Sequence, residues 1–284
     1  MAECNHNCDT CEENCEEREG CSHDCSSCSQ NCSERIEIAK PTEDTKITKI
    51  IGVLSGKGGV GKSMVSSLLA VELASKGYKV GIMDADITGP SIPKMFGLKT
   101  QLFGDETGIF PAVSTIGIKV VSINMMLEDE DVPVLWRGPI LGGIIKQFYT
   151  EVHWGELDYL LIDMPPGTSD VAISIIQQIP VDQFVMVTTP SKLVSMVVGK
   201  AINMAKQVNK PIIGLIENLA YVKCDKCGND IQIYNSDETE ATAKKYDLEV
   251  LAKLPIDPLL ANFADEGEIE NYSEHYLEKL VNKL

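Results

Sequence analysis

The sequence predicts an α/β fold, with a mostly parallel sheet covered by helices on both faces, preceded by a small cysteine-rich segment. From residue 49 onward, apolar runs of strand length alternate with segments of helical length, a pattern that is typical of parallel sheets covered by helices. Several apolar runs end in an acidic residue, as at Asp84, Asp163 and Glu217. Because ligands bind beyond the carboxyl ends of such strands, these positions mark the expected site.

The cysteine-rich segment, residues 1–35, is an internal repeat. The motif C-x-H-x-C-x-x-C-x-x-N-C-x-E-R occurs twice, with an offset of 17 residues. Its spacing would place four cysteines on one face of a helix. The two copies contribute Cys4, Cys8, Cys11 and Cys15, followed by Cys21, Cys25, Cys28 and Cys32.

We expect these cysteines to bind metal. The segment is too polar to bury a core of its own, so metal ligation would have to supply its stability. Four thiolates per repeat suit one [4Fe–4S] cluster or one tetrahedral zinc ion, and Cu(I) is also compatible with soft sulfur ligands. An iron–sulfur cluster is the favoured prediction, and a disulfide-linked hairpin is the structural alternative. His6 and His23 are expected to be exposed.

The segment at residues 36–48 is polar, contains Pro41 and lacks periodicity, so we interpret it as a linker. The sequence thus divides into the cysteine-rich segment at 1–35, the linker at 36–48 and an α/β domain at 49–284.

Composition limits the partners and the compartment. The formal net charge is −17, which makes binding to nucleic acid or anionic lipid through phosphate charge a poor prediction. No apolar run approaches the roughly 20 residues of a membrane span, and the N-terminus lacks the features of a signal peptide. We therefore predict a cytoplasmic protein without nucleic-acid or membrane partners. In a reducing cytosol, cysteines are better explained by metal binding or catalysis than by disulfides.

A glycine-rich loop of the pattern G-x-x-x-x-G-K-[ST] follows the first predicted strand, residues 50–54, and precedes a predicted helix at residues 64–74. A phosphate-binding loop requires this context. Its backbone N–H groups would surround phosphate oxygens of ATP, Lys62 would reach the β- and γ-phosphates, and Ser63 would ligate Mg²⁺. The predicted nucleotide-binding residues of this loop are Gly56, Lys57, Gly58, Gly59, Val60, Gly61, Lys62 and Ser63.

Four further apolar runs predict the strands at residues 80–84, 159–163, 184–189 and 212–217. Two of them lead directly into aspartate-containing motifs. A carboxylate at a strand end beside Mg²⁺ suits phosphoryl transfer because charge must be neutralised there. Helix capping is the alternative role for each aspartate.

The second lysine of the loop, Lys57, makes the loop resemble that of the deviant Walker A class of P-loop NTPases, to which ParA and MinD belong. The resemblance implies a homodimer around two ATP molecules, in which Lys57 crosses the interface to the partner's nucleotide. It further implies that Asp86 orients or activates the attacking water, that Asp163 supports Mg²⁺ and that Gly167 senses the γ-phosphate. Lys57, Lys62 and Asp86 would then be the catalytic residues.

Four motifs make a closer resemblance, to the Mrp/ApbC/Nbp family of iron–sulfur carrier ATPases. They are D-A-D-I-T-G-P-S-I-P (84–93), W-R-G-P (136–139), D-M-P-P-G-T-S-D (163–170) and I-E-N-L-A-Y-x-x-C-x-x-C (216–227). The resemblance implies a slow ATP hydrolase that binds a [4Fe–4S] cluster and transfers it to apo iron–sulfur proteins.

In this resemblance, Cys224 and Cys227 of two chains bridge one cluster, and Asn218 recognises adenine. The C-x-x-C motif by itself fits zinc bridging or a redox dithiol equally well. The repeat at residues 1–35 departs from the family pattern, so the family assigns it no role.

Alternatives from other classes stay open. The chain could be a regulatory ATPase whose thiolates hold structural zinc, or a MinD/ParA-like positioning ATPase that binds membranes through a C-terminal helix. An apolar stripe at residues 269–284 predicts such a helix, but its acidic opposite face favours packing on the body of the protein over membrane binding. A nitrogenase-reductase-like electron donor would need cysteines near the aspartate motifs, and residues 33–223 contain none.

Overall fold

The structure, a computed structural model, describes residues 38–86, 89, 91–99, 101–126, 138–224, 226–234 and 237–284. The predicted metal-binding segment with its eight cysteines lies outside the described residues, and so do Trp136 and Arg137 of the W-R-G-P motif. The described residues belong to one compact unit, Ile38–Leu284.

Within the described ranges, twelve strands form one large sheet and two small ribbons. In chain order they are β1 (Lys46–Ser55), β2 (Val80–Asp84), β3 (Phe103–Asp105), β4 (Gly108–Phe110), β5 (Ala112–Val113), β6 (Lys119–Ser122), β7 (Glu156–Asp163), β8 (Gln183–Thr188), β9 (Ile212–Glu217), β10 (Val222–Lys223), β11 (Asp230–Ile231) and β12 (Val250–Lys253). The large sheet has the order β12-β9-β8-β1-β7-β2-β6-β5. Its strands are parallel except for the edge pair β5–β6.

Eight α-helices accompany the strands within the described part of the chain. They are α1 (Lys62–Ser75), α2 (Ile92–Met95), α3 (Gly138–Thr150), α4 (Asp170–Gln178), α5 (Lys192–Gln207), α6 (Asp237–Tyr246), α7 (Pro258–Glu266) and α8 (Glu278–Val281), with short 3₁₀ turns at Ile123–Met126 and Ile269–Asn271. Right-handed crossovers place α1 on one face of the sheet and α3 to α6 on the other. The predicted fold class, a mostly parallel sheet with helices on both faces, is therefore confirmed.

The innermost strand, β1, shows why this sequence folds as a parallel sheet. Its second half, from Ile50 to Ser55, is buried without alternation because β7 and β8 flank it and helices cover both faces. Its first half alternates between exposed and half-buried residues. β1 begins at Lys46, so its first residues belong to the segment that was interpreted as a linker.

The C-terminal segment differs from its prediction. The apolar stripe at residues 269–284 predicted one helix, but the chain forms a 3₁₀ turn at Ile269–Asn271 and only one short helix, α8. The apolar residues Ile269, Leu277 and Leu280 are nevertheless fully buried against the body. The single helix was wrong because a tertiary contact outweighs the periodicity: the Leu277 N–H donates to Glu72 Oε1 of α1 at 2.9 Å.

In the described ranges, no helix combines the length and the apolar character needed to cross a bilayer.

Candidate functional site

The ends of three neighbouring strands bring the predicted nucleotide-site residues together. In the sheet, Asp163 at the end of β7 lies opposite Val53 of β1 on one side and opposite Asp84 of β2 on the other. The glycine-rich loop leaves β1 at the same edge and leads into α1. Parallel pairing therefore converts residues that are distant in sequence into one cluster, as the strand-end pattern predicted.

The glycine-rich loop follows a path that only glycine allows at two positions. Gly61 has a φ of 77°, and a Cβ there would lie 2.2 Å from Nδ2 of Asn218. Gly56 approaches the backbone of α5, since a Cβ on it would lie 2.7 Å from the amide nitrogen of Val198. The loop is thus packed on both sides, while its tip at Lys57, Gly58 and Gly59 is exposed.

The lysine and serine that end the loop both contact Asp163. Lys62 Nζ donates to Asp163 Oδ2 at 2.7 Å, and Ser63 Oγ donates to the same oxygen at 2.6 Å. The other carboxylate oxygen accepts a hydrogen bond from Ser66 Oγ at 2.7 Å. Lys62 and Asp163 are both buried, so each charge is compensated where water cannot reach it. With three donors on its two oxygens, Asp163 is suited to orienting other groups.

Asp86 and Asp84 differ although they belong to one motif. Asp86 is slightly exposed, and its Oδ2 lies 3.4 Å from Lys62 Nζ. Asp84 is fully buried and accepts hydrogen bonds from Ser122 Oγ at 3.1 Å and from the Asp86 backbone N–H at 3.2 Å. Burial, followed by the negative charge of Asp163, raises the pKa of the Asp84 carboxyl from 3.8 to about 8. A neutral Asp84 limits the repulsion among three neighbouring carboxyl groups.

The segment that follows β7 is tied to the loop. Gly167 donates its N–H to the carbonyl of Ser55 at 2.9 Å. Helix α4 then begins, capped by Ser169, whose Oγ accepts the Ala172 N–H. Gly167 therefore lies at the base of the glycine-rich loop, where its N–H donates to the Ser55 carbonyl; its response to the γ-phosphate stays a prediction.

Asn218 lies at the end of β9 and contacts the loop directly. Its Nδ2 donates to the carbonyl of Val60 at 2.9 Å, and its side chain is buried. Its backbone N–H donates to the carbonyl of Thr188 at the end of β8. The predicted contact of Asn218 with adenine stays a prediction; the observed contact is with the phosphate loop.

Cys224 and Cys227 lie in the turn of a small hairpin. Strands β10 and β11 pair antiparallel, with Lys223 opposite Asp230. The turn is closed by two backbone hydrogen bonds, from the Cys224 N–H to Asn229 and from the Gly228 N–H to Cys224. Cys224 is half-buried and Cys227 is exposed, so the two cysteines lie in one turn and differ in accessibility. Among the described residues, no group of three or more His, Cys, Asp or Glu side chains forms a complete metal site within one chain.

The structure adds residues that the motifs did not single out. Ser66 follows Lys62 by one helical turn and therefore faces the same carboxylate, a spacing that the sequence contains but that acquires meaning only once Asp163 is placed. Asp84 was noticed only as part of its motif, and its buried partner Ser122 comes from β6. Together the cluster offers a backbone cradle, an ammonium and a hydroxyl–carboxylate pair, which are the groups that bind nucleotide phosphates and Mg²⁺.

Comparison with known proteins agrees with this site. The family model for ParA, described as NUBPL iron-transfer P-loop NTPase, matches residues 46–284. The chain is 43% identical over 244 residues to an iron-sulfur cluster carrier protein of Clostridium perfringens, which covers 83% of this chain and 86% of the relative. It is 44% identical over 237 residues to a cytosolic Fe-S cluster assembly factor NUBP2 homolog of Dictyostelium discoideum, which covers 81% of this chain and 89% of the relative.

A solved structure is similar over most of its length. The nucleotide-binding protein of Archaeoglobus fulgidus in complex with ADP superposes with a TM-score of 0.74 at 42% identity. The match covers 82% of this chain and 91% of that chain.

Proposed function

Because the chain belongs to the ParA family of NUBPL-type iron-transfer P-loop NTPases, we propose that it is an ATP-dependent carrier that binds a [4Fe–4S] cluster and passes it to apo iron–sulfur proteins. The family expected from the four sequence motifs is confirmed. The observation that supports the proposal is the presence on one chain of a glycine-rich loop whose Lys62 and Ser63 contact Asp163, and of a separate hairpin that carries two cysteines.

In the ATPase half of this function, Lys62 would bind the β- and γ-phosphates. Its ammonium is held by Asp163 at 2.7 Å and lies 3.4 Å from Asp86, so the phosphates would compete with these carboxylates for one cation. Asp86 is the more accessible carboxylate and would orient the attacking water. Gly167 would respond to the γ-phosphate through its amide, at the cost of its hydrogen bond to Ser55.

The residues present fit Mg²⁺. Ser63 Oγ and the Asp163 carboxylate, 2.6 Å apart, are hard oxygen donors of the kind that this ion prefers. Ser63 would bind it directly and Asp163 would support it. The ion would supply charge neutralisation on the phosphates.

Lys57 would act on the nucleotide of a partner chain. Its loop position is exposed, and a Cβ added at the neighbouring Gly58 would meet nothing within 4 Å. The tip of the loop is therefore open to a second copy of the chain. A homodimer also completes the cluster site, because Cys224 and Cys227 supply two thiolates and a [4Fe–4S] cluster requires four.

The cluster is the cargo of this reaction. Two hairpins meeting across a two-fold axis would hold it on four cysteine sulfurs, and a change in the dimer on ATP binding or hydrolysis would alter that hold. The eight cysteines at residues 1–35 would bind further clusters. We place the protein in the cytoplasm, without membrane or nucleic-acid partners, as the relative named as a cytosolic assembly factor supports.

The decisive experiment is the iron, acid-labile sulfide and zinc content per chain of anaerobically purified protein. We compare the full-length chain, a chain lacking residues 1–35, and that shortened chain carrying the double substitution C224S/C227S. Iron with equimolar sulfide is expected in the first two, and the double variant of the shortened chain should lose both. Zinc without sulfide would contradict the carrier function and indicate a zinc-stabilised regulatory ATPase.

Transfer to an apo-acceptor tests the coupling to ATP. Lys62→Ala and Asp86→Asn should still acquire clusters but should fail to hand them over. Unimpaired transfer by both variants would remove ATP from the proposed mechanism.

A further inference from the structure

A buried acidic residue that the nucleotide site does not use lies at the end of β9. The side chain of Glu217 is only 1% exposed, and among the described residues its nearest charged partner is Lys253, whose Nζ lies 3.4 Å from Oε2. Within the described part of the chain, neither carboxylate oxygen makes a hydrogen bond of ordinary geometry. Burial raises the pKa of Glu217, the Lys253 charge opposes that shift, and the Thr239 hydroxyl of α6, which lies beside the carboxylate, also lowers the pKa. Burying a carboxylate without ordinary hydrogen bonds lowers the stability of the fold, so a functional role for Glu217 would explain its presence.

The lysine that faces Glu217 joins three elements. Lys253 ends β12 and lies directly opposite Glu217 in the sheet. Its Nζ also lies 3.0 Å from Glu240 Oε1 of α6. One ammonium therefore connects the carboxyl ends of β9 and β12 with the helix that follows the cysteine hairpin.

These three elements form the base of the chain excursion that begins at residue 218 and carries Cys224 and Cys227. The excursion leaves the sheet directly after Glu217 and returns into α6. Three backbone hydrogen bonds hold its first residues to the chain that follows Lys253: Leu254 N–H to Glu217, Ala220 N–H to Leu254 and Ile256 N–H to Tyr221. Movement at this base would be transmitted to the hairpin.

The first residue of the excursion contacts the phosphate loop. Asn218 Nδ2 donates to the Val60 carbonyl at 2.9 Å, and the contact is close enough that Gly61 must lack a side chain. A displacement of the loop would therefore push or release Asn218. Glu217 is the neighbour of Asn218 in the chain. Its ion pair with Lys253 can therefore either oppose the movement of Asn218 or transmit it to β12 and α6.

We propose that the Glu217–Lys253 ion pair positions the cysteine hairpin in response to movement of the phosphate loop. Asn218, which contacts the loop and precedes the hairpin, would transmit that movement to Glu217. Glu217 and Lys253 are thus positioning residues. The inference rests on the proposed carrier function, in which Cys224 and Cys227 hold the cluster. An ion pair with one buried partner gains little stability over apolar side chains of the same size, whereas the Glu217–Lys253 pair connects two strand ends and a helix in one defined arrangement.

Hydrogen–deuterium exchange on the full-length protein tests this directly. The amides of Cys224 and Gly228 close the hairpin turn and serve as reporters, with and without Mg²⁺ and a non-hydrolysable ATP analogue. In the wild-type protein we expect the nucleotide to change their exchange rates by about tenfold, within the usual range of coupling between two sites. In Glu217→Gln the change should fall below about twofold, while affinity for the analogue stays close to wild type.

Three matched variants separate positioning from stability. Lys253→Arg keeps the ion pair and should keep the response. Glu240→Gln removes the exposed partner of Lys253 and should also keep it, because exposed ion pairs contribute little. The double variant E217M/K253M replaces the pair by apolar side chains of similar size, so it should fold and bind nucleotide but lose the response, even if Glu217→Gln alone is too unstable to measure.

The proposal is overturned if the wild-type hairpin does not respond to nucleotide, or if E217Q and the double variant respond as the wild type does. Its failure is distinguishable from failure of the carrier function, because exchange is measured without a cluster. A protein that holds no iron but whose hairpin responds to nucleotide through Glu217 would refute the carrier and retain the coupling.

Discussion

At the scale of single residues, the main feature of the nucleotide site is that it buries more carboxyl groups than ammonium groups. Lys62, Asp163 and Asp84 all lie where water cannot solvate them. One ammonium cannot neutralise two carboxylates and the nearby Asp86 as well, so one group has to give up its charge. The structure assigns the proton to Asp84, the carboxyl with the raised pKa.

This proton makes stability depend on pH. Because the folded pKa of Asp84 is raised from 3.8 to about 8, the folded chain keeps a proton that the unfolded chain has already released, and the contribution of Asp84 to stability falls as the pH rises across that interval. Asp84→Asn carries a permanently neutral side chain, so it should lose this fall. The free energy of unfolding of both proteins, from urea titrations at several pH values between 4 and 8, measures the difference. Parallel curves would refute the buried proton.

Motif reading reaches some of these residues and misses others for a physical reason. Lys62, Ser63 and Asp163 belong to local patterns whose chemistry is set by spacing, and they do converge. Ser66 and Ser122 act only through carboxylates that the fold brings to them from other strands. Residues of this kind cannot be predicted from a local sequence pattern, because their partners lie far away in the sequence.

At the scale of elements, long buried strands were predicted well and short elements were not. β7, β8 and β9 coincide with apolar runs because parallel strands bury both faces. The C-terminal segment had a helical apolar pattern as well, yet its buried residues are reached by an irregular chain. There, a side chain of α1 decides the backbone path.

The hydrogen bond between α1 and the C-terminal segment should contribute measurably to the free energy of unfolding. Glu72 of α1 is buried and accepts the Leu277 N–H at 2.9 Å. Glu72→Leu keeps the volume but leaves that N–H without an acceptor, which should lower the free energy of unfolding by about 1–3 kcal/mol. Glu72→Gln retains an amide oxygen that can accept, and it should cost clearly less. Urea denaturation of the two variants gives both values, and equal losses would show that the hydrogen bond is not the cause.

At the scale of the whole molecule, the fold class and the family followed from sequence, whereas the proposed assembly still depends on where Lys57 acts. Complementation can decide it. Lys57→Ala and Asp86→Asn should each be inactive in ATP hydrolysis. If Lys57 acts across the interface, a mixed dimer contains one site with both residues intact, so an equal mixture should recover about a quarter of wild-type activity for a two-fold dimer.

The control for this experiment is a mixture of Lys57→Ala with the double variant K62A/D86N. If Lys57 acts across the interface, the mixed dimers again contain one site in which Lys57, Lys62 and Asp86 are all intact, because both residues changed in the double variant lie in the other site. Recovery in this second mixture should therefore match the first. If neither mixture recovers activity although mixed dimers form, Lys57 acts within its own chain.

The position of β1 in the sheet has a consequence for biosynthesis. This strand and the glycine-rich loop behind it emerge early from the ribosome, but the strand's two neighbours are β7 and β8, in which Glu156 lies opposite Lys46 and Gln183 lies opposite Ile51. Pairings between such distant segments form slowly and late. The nascent chain must therefore carry an unpaired apolar strand until β7 and β8 have been synthesised, and during that interval it is exposed to misassembly. Asp163, which contacts Lys62 and Ser63, lies at the end of β7. The nucleotide site is therefore complete only after β7 has been synthesised, and stabilisation by a ligand comes too late for the early precursor.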